Sequence, residues 1–221
     1  MGLNGGRPGP RPKPAAVAAC GAVAAVLFIA LFRLRRLGPL DFWAWLAMNI
    51  AVVVALGFAV DRGYGRRIRE DLRSGLLRKV GIGVVSAMAL YAVFAAGRAA
   101  ALELFPFASE GIQRVYALRS GVPLLRVVLL LALLIGPGEE LFWRGFFQEN
   151  AGAGPGRTAG FILASMLYTS VHLASGNIML ILAAAVCGVF WGWLYLRFRS
   201  PLLNVVSHTV WDLLVFVILP F

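Results

Sequence analysis

The stretch PLLRVVLLLALLIGPGEELFWRGFF, Pro123–Phe147, sets two adjacent acids and an arginine inside an apolar run long enough to cross a bilayer. An ionisable group at bilayer depth costs roughly 3 kcal/mol or more, so it turns towards the protein interior and marks a working site. Glu139, Glu140 and Arg144 therefore define both the kind of protein and the place of its chemistry.

The rest of the chain agrees. It has 221 residues, 60% of them hydrophobic and 14% charged, with a mean hydropathy of +0.82. A bilayer core takes about 20 helical residues. Apolar stretches of about that length run at Ala15–Phe32, Leu40–Val60, Val80–Gly97, Pro123–Phe147, Thr158–Leu173, Ile178–Leu196 and Pro201–Phe221. The expectation is an all-α, polytopic transmembrane helical bundle of about seven spans, with no soluble domain. The fifth stretch is the shortest and is expected to be sheltered by its neighbours.

The net charge of +11 falls mainly in short loops, which argues against nucleic acid as a partner. Taking the spans in order, one side receives Arg7, Arg11, Lys13, the run from Arg62 to Lys79, Arg157, Arg197 and Arg199. The other receives Arg33, Arg35, Arg36, Arg98, Arg114 and Arg119. The first set is about twice the second, which places the N-terminus in the cytoplasm and the C-terminus outside. The Arg33–Arg36 cluster pulls the first hairpin the other way.

Three regions follow. Residues 1–14, rich in Pro, Gly and Arg, read as a disordered cytoplasmic tail. Residues 15–122 hold the N-terminal membrane helices and two interfacial connections, and 123–221 a helical core that carries Glu139, Glu140 and Arg144. The connection Asp61–Lys79 is basic and expected to be helical. Arg98–Val122 mixes aromatics with charges and is expected to lie along the outer interface or cover part of the bundle. Cys20 and Cys187 lie within apolar spans, so no disulfide framework is expected. Trp43 and Trp45 at one span end, and Trp191, Trp193 and Tyr195 at another, read as interfacial anchors. No internal repeat is visible, which weighs against an inverted-repeat transporter.

Polar residues recur at helical spacing on three later spans. Glu140 and Arg144 are four apart and can pair along one face, whereas Glu139 is rotated by about 100° and left free. Gly136-Pro137-Gly138 is expected to break or kink the helix, which would put both acids in a first turn. Ser165, Tyr168, Thr169 and His172 share a face of the fifth span. Asn204, His208 and Asp212 form an i, i+4, i+8 stripe on the seventh. At about 1.5 Å per residue, Glu139, His172 and His208 can meet between the cytoplasmic interface and the midplane. Two histidines and two carboxylates at one depth make a reaction centre or an ion site.

These residues resemble the motifs of the CPBP family of intramembrane glutamic endopeptidases, also described as type II CAAX prenyl proteases or Abi proteins. Glu139-Glu140-Leu-Phe-Trp-Arg144 matches the Glu-Glu-x-x-x-Arg motif. Tyr168-Thr-Ser-Val-His172 matches Phe-x-x-x-His with Tyr for Phe, and His208-Thr-Val-Trp-Asp212 matches the acidic form of the third motif. The resemblance spans Pro123 to Phe221. It implies that Glu139 and His172 activate water, that His208 and Asp212 stabilise the oxyanion, and that Arg144 pairs with Glu140. Asp212 would act either as a protonated donor or by orienting His208, the second being favoured. Tyr168 and Asn204 are candidate lining residues.

No cofactor is implied. Two other readings use the same residues: a Zn-dependent protease, which the lack of a His-Glu-x-x-His run disfavours, and a non-enzymatic ion or proton pathway or scaffold. The implied partners are the lipid bilayer and a membrane-associated protein or peptide substrate. Eukaryotic relatives act on prenylated tails. Prokaryotic ones do varied work, including bacteriocin processing and, for the myxosortases, sorting signals of exported proteins. The Ala/Gly/Arg-rich composition suggests a prokaryotic cytoplasmic (inner) membrane.

Overall fold

The computed structural model describes residues 11–221, so most of the expected N-terminal tail lies outside the described residues. All regular secondary structure among them is helical: α1 (Pro14–Leu34), α2 (Phe42–Val60), α3 (Tyr64–Arg73), α4 (Leu76–Leu104), α5 (Ala108–Arg119), α6 (Leu124–Ala151), α7 (Arg157–His172), α8 (Ile178–Phe198) and α9 (Pro201–Ile218). The chain is an all-α polytopic bundle. Helices α1, α2, α4, α8 and α9 are long and apolar enough to cross a membrane, and α6 joins them if counted with α5, from which it bends by 94°. Helix α7, at 16 residues, falls short of a full span. It is not sheltered all round either, for Ile162, Leu163 and Met166 remain open on its outer face.

Local chemistry sets the helix ends. Asp41 caps α2 by accepting from the Ala44 N–H at 2.9 Å. Asn177 caps α8 through Met179 and Leu180, and Ser200 caps α9, where Pro201 takes the first helical position. Each such cap stabilises a helix by about 1 kcal/mol. The basic connection is indeed helical, as α3. Helix α5 lies across the end of the bundle, tied down by the Asn177 side chain, which donates to Gly111 O at 2.8 Å, and by Tyr116, which donates to Val215 O.

The expected break at Gly136-Pro137-Gly138 does not occur. Helix α6 runs through it and instead widens into π-helical turns at Leu131–Ile135 and again at Glu140–Gln148. Pro137 lacks an N–H, and its ring would press on the preceding turn. The upstream π-turn opens that turn, so the helix continues. The acids consequently sit mid-helix, not in a first turn.

The anchor reading of the aromatics also changes. Trp43, Trp45, Trp191 and Tyr195 are buried, and only Trp193 of that set faces outward. Each of three finds an internal partner for its polar tip: Trp43 donates to Leu118 O, Trp191 to Ser207 Oγ and Tyr195 to Glu149. An indole or phenol can go inside when that bond is available.

Candidate active site

Helices α6, α7 and α9 bring the three motifs together, with α8 packed behind them. Gly192 of α8 allows the closest approach to α7, since a methyl there would meet the Phe161 ring at 2.8 Å and Ser165 Oγ at 2.9 Å. Small residues permit such helix contacts within a membrane.

The two adjacent acids have opposite surroundings. Glu140 is fully buried and saturated. Its Oε1 accepts from Arg144 at 2.9 Å and from His208 Nδ1 at 2.8 Å. Its Oε2 accepts from Asn204 at 3.0 Å. Arg144 stays inside by donating also to Cys187 O and by lying over the rings of Tyr168 and Trp191. Glu139 has one hydrogen bond among the described residues, from the Tyr168 hydroxyl to Oε2 at 3.0 Å. The residue that differs from the family motif thus holds the free carboxylate.

The histidines are fixed differently. His172 Nδ1 lies 2.7 Å from Tyr168 O. A carbonyl only accepts, so Nδ1 carries the proton and Nε2 keeps its lone pair. His208 is hydrogen-bonded to Glu140, while its Nε2 stands 3.6 Å from Asp212 Oδ2, within ion-pair distance but beyond hydrogen-bond reach, and that oxygen has no hydrogen-bond partner among the described residues. The hydrogen bond of the His208 ring is thus made to Glu140, with Asp212 as the charged neighbour of its other nitrogen. Trp191 supplies a second restraint, stacked on the His208 ring with centroids 3.7 Å apart and planes 19° off parallel. Its N–H is held by Ser207, itself 2.9 Å from Ser86 Oγ on α4.

Glu139, Tyr168, His172, His208 and Asp212 line one cavity of about 470 Å³ whose other walls are mostly apolar. Glu140, Arg144 and Asn204 do not reach it; they form the buried layer beneath. Asn204, expected as a lining residue, is instead fully buried and bridges Glu140 to Trp191 O. Trp191 and Ser207 were missed by the motif reading. The sequence signal for them was weak: Cys187, Trp191 and Tyr195 recur at i, i+4, i+8 on α8 and face inward together.

The bundle is that of an integral membrane protein whose acids and histidines gather at one largely apolar cavity. Residues 121–214 match the type II CAAX prenyl endopeptidase Rce1-like family model. That stretch contains all three motifs, and over it the chain is similar to this family of membrane CAAX-type endopeptidases. No curated protein and no solved structure matches it.

Proposed function

We propose that the chain is a glutamic-type intramembrane endopeptidase that hydrolyses a peptide bond of a membrane-associated protein or peptide. The observation that carries this is the contrast between the two acids: Glu140 is tied on both oxygens, while Glu139 faces the cavity with one oxygen held by Tyr168. Glu139, with the lone pair of His172 Nε2, positions a water and takes its proton as hydroxide attacks the carbonyl carbon. His208 donates Nδ1–H to Glu140 and, in its imidazolium form, Nε2–H to the developing oxyanion. Asp212 balances that charge from the cavity wall. The Glu139 proton then passes to the leaving amine.

The proposed steps need no metal, since Glu139 supplies the base and His208 the donor to the oxyanion. Activity is expected to persist in chelator. The basic loops support a cytoplasmic N-terminus, and the composition supports a prokaryotic inner membrane.

The test is a quantitative map of protein termini in host membranes, comparing wild type with chromosomal Glu139→Gln at matched abundance. Cleaved termini should disappear in the variant. Unchanged termini, under conditions where the protein is expressed and required, would overturn the peptidase reading in favour of an ion path or scaffold.

A further inference from the structure

One end of the bundle gathers α3, the end of α6, the start of α7 and the end of α8, and with them Arg67, Arg157 and Arg199. At this basic end lies a second cavity, of about 200 Å³, which shares no lining residue with the one that holds Glu139. Its lining is charged where that of the first is apolar. Arg11, Arg157 and Arg199 face it together with Gln148 and Glu149, and small residues and Leu196 complete the walls.

On one side of this cavity are acceptors with capacity to spare. Glu149 is buried; its Oε1 accepts from Arg199 at 2.5 Å and its Oε2 from the Tyr195 hydroxyl at 3.1 Å. A carboxylate oxygen can take a second donor. Gln148, 3% exposed, donates Nε2–H to Gly192 O at 2.8 Å, and its Oε1 is buried with no hydrogen-bond partner among the described residues. Such an orphaned acceptor is costly and calls for a donor from outside the chain. On the other side are donors. Gly156 gives α7 no side-chain cap, so the N–H groups of its first turn have no partner within the helix and favour an anion. Arg157 opens that helix and has no ion-pair partner among the described residues, and Arg11 reaches only to 4.0 Å from Glu149. A plain anion would leave Gln148 Oε1 without a donor, and a plain cation would face three guanidinium groups. A ligand that carries both signs fits the lining.

We propose that this cavity binds a phosphoethanolamine group, a phosphate ester joined by a short carbon chain to a primary ammonium. The phosphate lies against Arg157, Arg11 and the start of α7, while the ammonium donates to Gln148 Oε1 and Glu149. The level of the cavity selects a phospholipid headgroup as the source. Helices α1 and α8 are long enough to cross a membrane, and the cavity lies beside the start of one and the end of the other, which is the headgroup layer. The orphaned acceptor sets the headgroup's chemistry, because a quaternary ammonium such as that of phosphocholine has no N–H to give it. The site stands apart from the acids and histidines of the first cavity and is independent of the peptidase reading.

Lipid titration of the delipidated full-length chain in detergent, read by native mass spectrometry, tests this. A single phosphatidylethanolamine should bind about tenfold more tightly than phosphatidylcholine with the same acyl chains, the worth of one hydrogen bond to a charged group. Arg157→Gln, at an exposed position, should weaken both lipids about tenfold and leave the unfolding temperature of the lipid-free protein where it was. Gln148→Met should erase the preference between the two lipids. If that variant fails to fold for want of its bond to Gly192, the wild-type preference and the Arg157→Gln loss decide by themselves. Equal binding of the two lipids by wild type, or wild-type affinity in Arg157→Gln, would overturn the proposal. Soluble phosphoethanolamine and inorganic phosphate serve as competitors. Displacement of the lipid only at far higher concentrations of phosphoethanolamine supports the headgroup assignment, whereas competition at matched concentration would move the site to the free phosphoester and overturn it. Inorganic phosphate competing as well as phosphoethanolamine would reduce the cavity to a plain anion site, which would also overturn it.

Discussion

Adjacent in sequence, Glu139 and Glu140 should respond oppositely to the same substitution. Glu139→Gln keeps the side-chain shape and can still accept from Tyr168, so the unfolding temperature should hardly move. Loss of the base should lower the yield of cleaved termini by roughly 10²–10⁴-fold. Glu140→Gln leaves Arg144 buried without its counter-charge and deprives His208 of its anchor. Removing one partner of such a pair costs roughly 3–5 kcal/mol, so this variant should unfold early in detergent as well as lose activity. Equal unfolding temperatures for the two variants would contradict the division of roles. Tyr168→Phe restores the family's residue and tests the bond to Glu139. A net hydrogen bond is worth about 1 kcal/mol, so a severalfold loss of cleavage with an intact fold is expected. An unchanged yield would reduce Tyr168 to packing.

Among the elements, α6 shows most clearly what could be read from the sequence and what could not. The i, i+4 spacing of Glu140 and Arg144 gave their pairing, because both lie on one helix whose geometry is known beforehand. The i, i+4, i+8 stripe likewise put Asn204, His208 and Asp212 on one face of α9. Contacts between helices were another matter. That His208 hydrogen-bonds to Glu140 depends on the rotation of α6 against α9, which no single-helix period reports. The π-turns were illegible for a related reason, since they depend on how Pro137 is accommodated among neighbours. Gly138 makes that dependence testable. A methyl at this position would collide with Ile50 of α2, and overpacking of this sort costs roughly 1–3 kcal/mol. Gly138→Ala should therefore lower the unfolding temperature and displace the neighbouring Glu139. Adding Ile50→Ala should recover much of the loss, and failure of that rescue would show that Gly138 serves backbone freedom instead of close approach.

Across the whole molecule, the half that carries the three motifs is braced from the basic end by one small polar junction. Asp61, just past α2 and 2% exposed, accepts from Arg67 of α3 at 2.5 and 3.2 Å. It also accepts from Asn150, near the end of α6, at 2.9 Å and from the Gly63 N–H at 3.1 Å. Burial works against its charge, but the bonds from Arg67 and Asn150 outweigh that and hold its carboxyl below the ordinary value of 3.8. The unfolded chain then binds the proton more readily than the folded one. The junction's stabilisation is complete above the ordinary carboxylate range and disappears as pH falls through the lower folded value. Asp61→Asn keeps an acceptor for Asn150 but loses the charge facing Arg67. With Arg67 itself part-exposed, the expected cost is about 2 kcal/mol. The decisive comparison is thermal unfolding in detergent from neutral to acid pH. Wild type should be the more stable at pH 7, and the difference should close below about pH 4 as its Asp61 protonates. A gap of constant size across that range would mean that the junction is held by shape alone and that its charge does not brace α6.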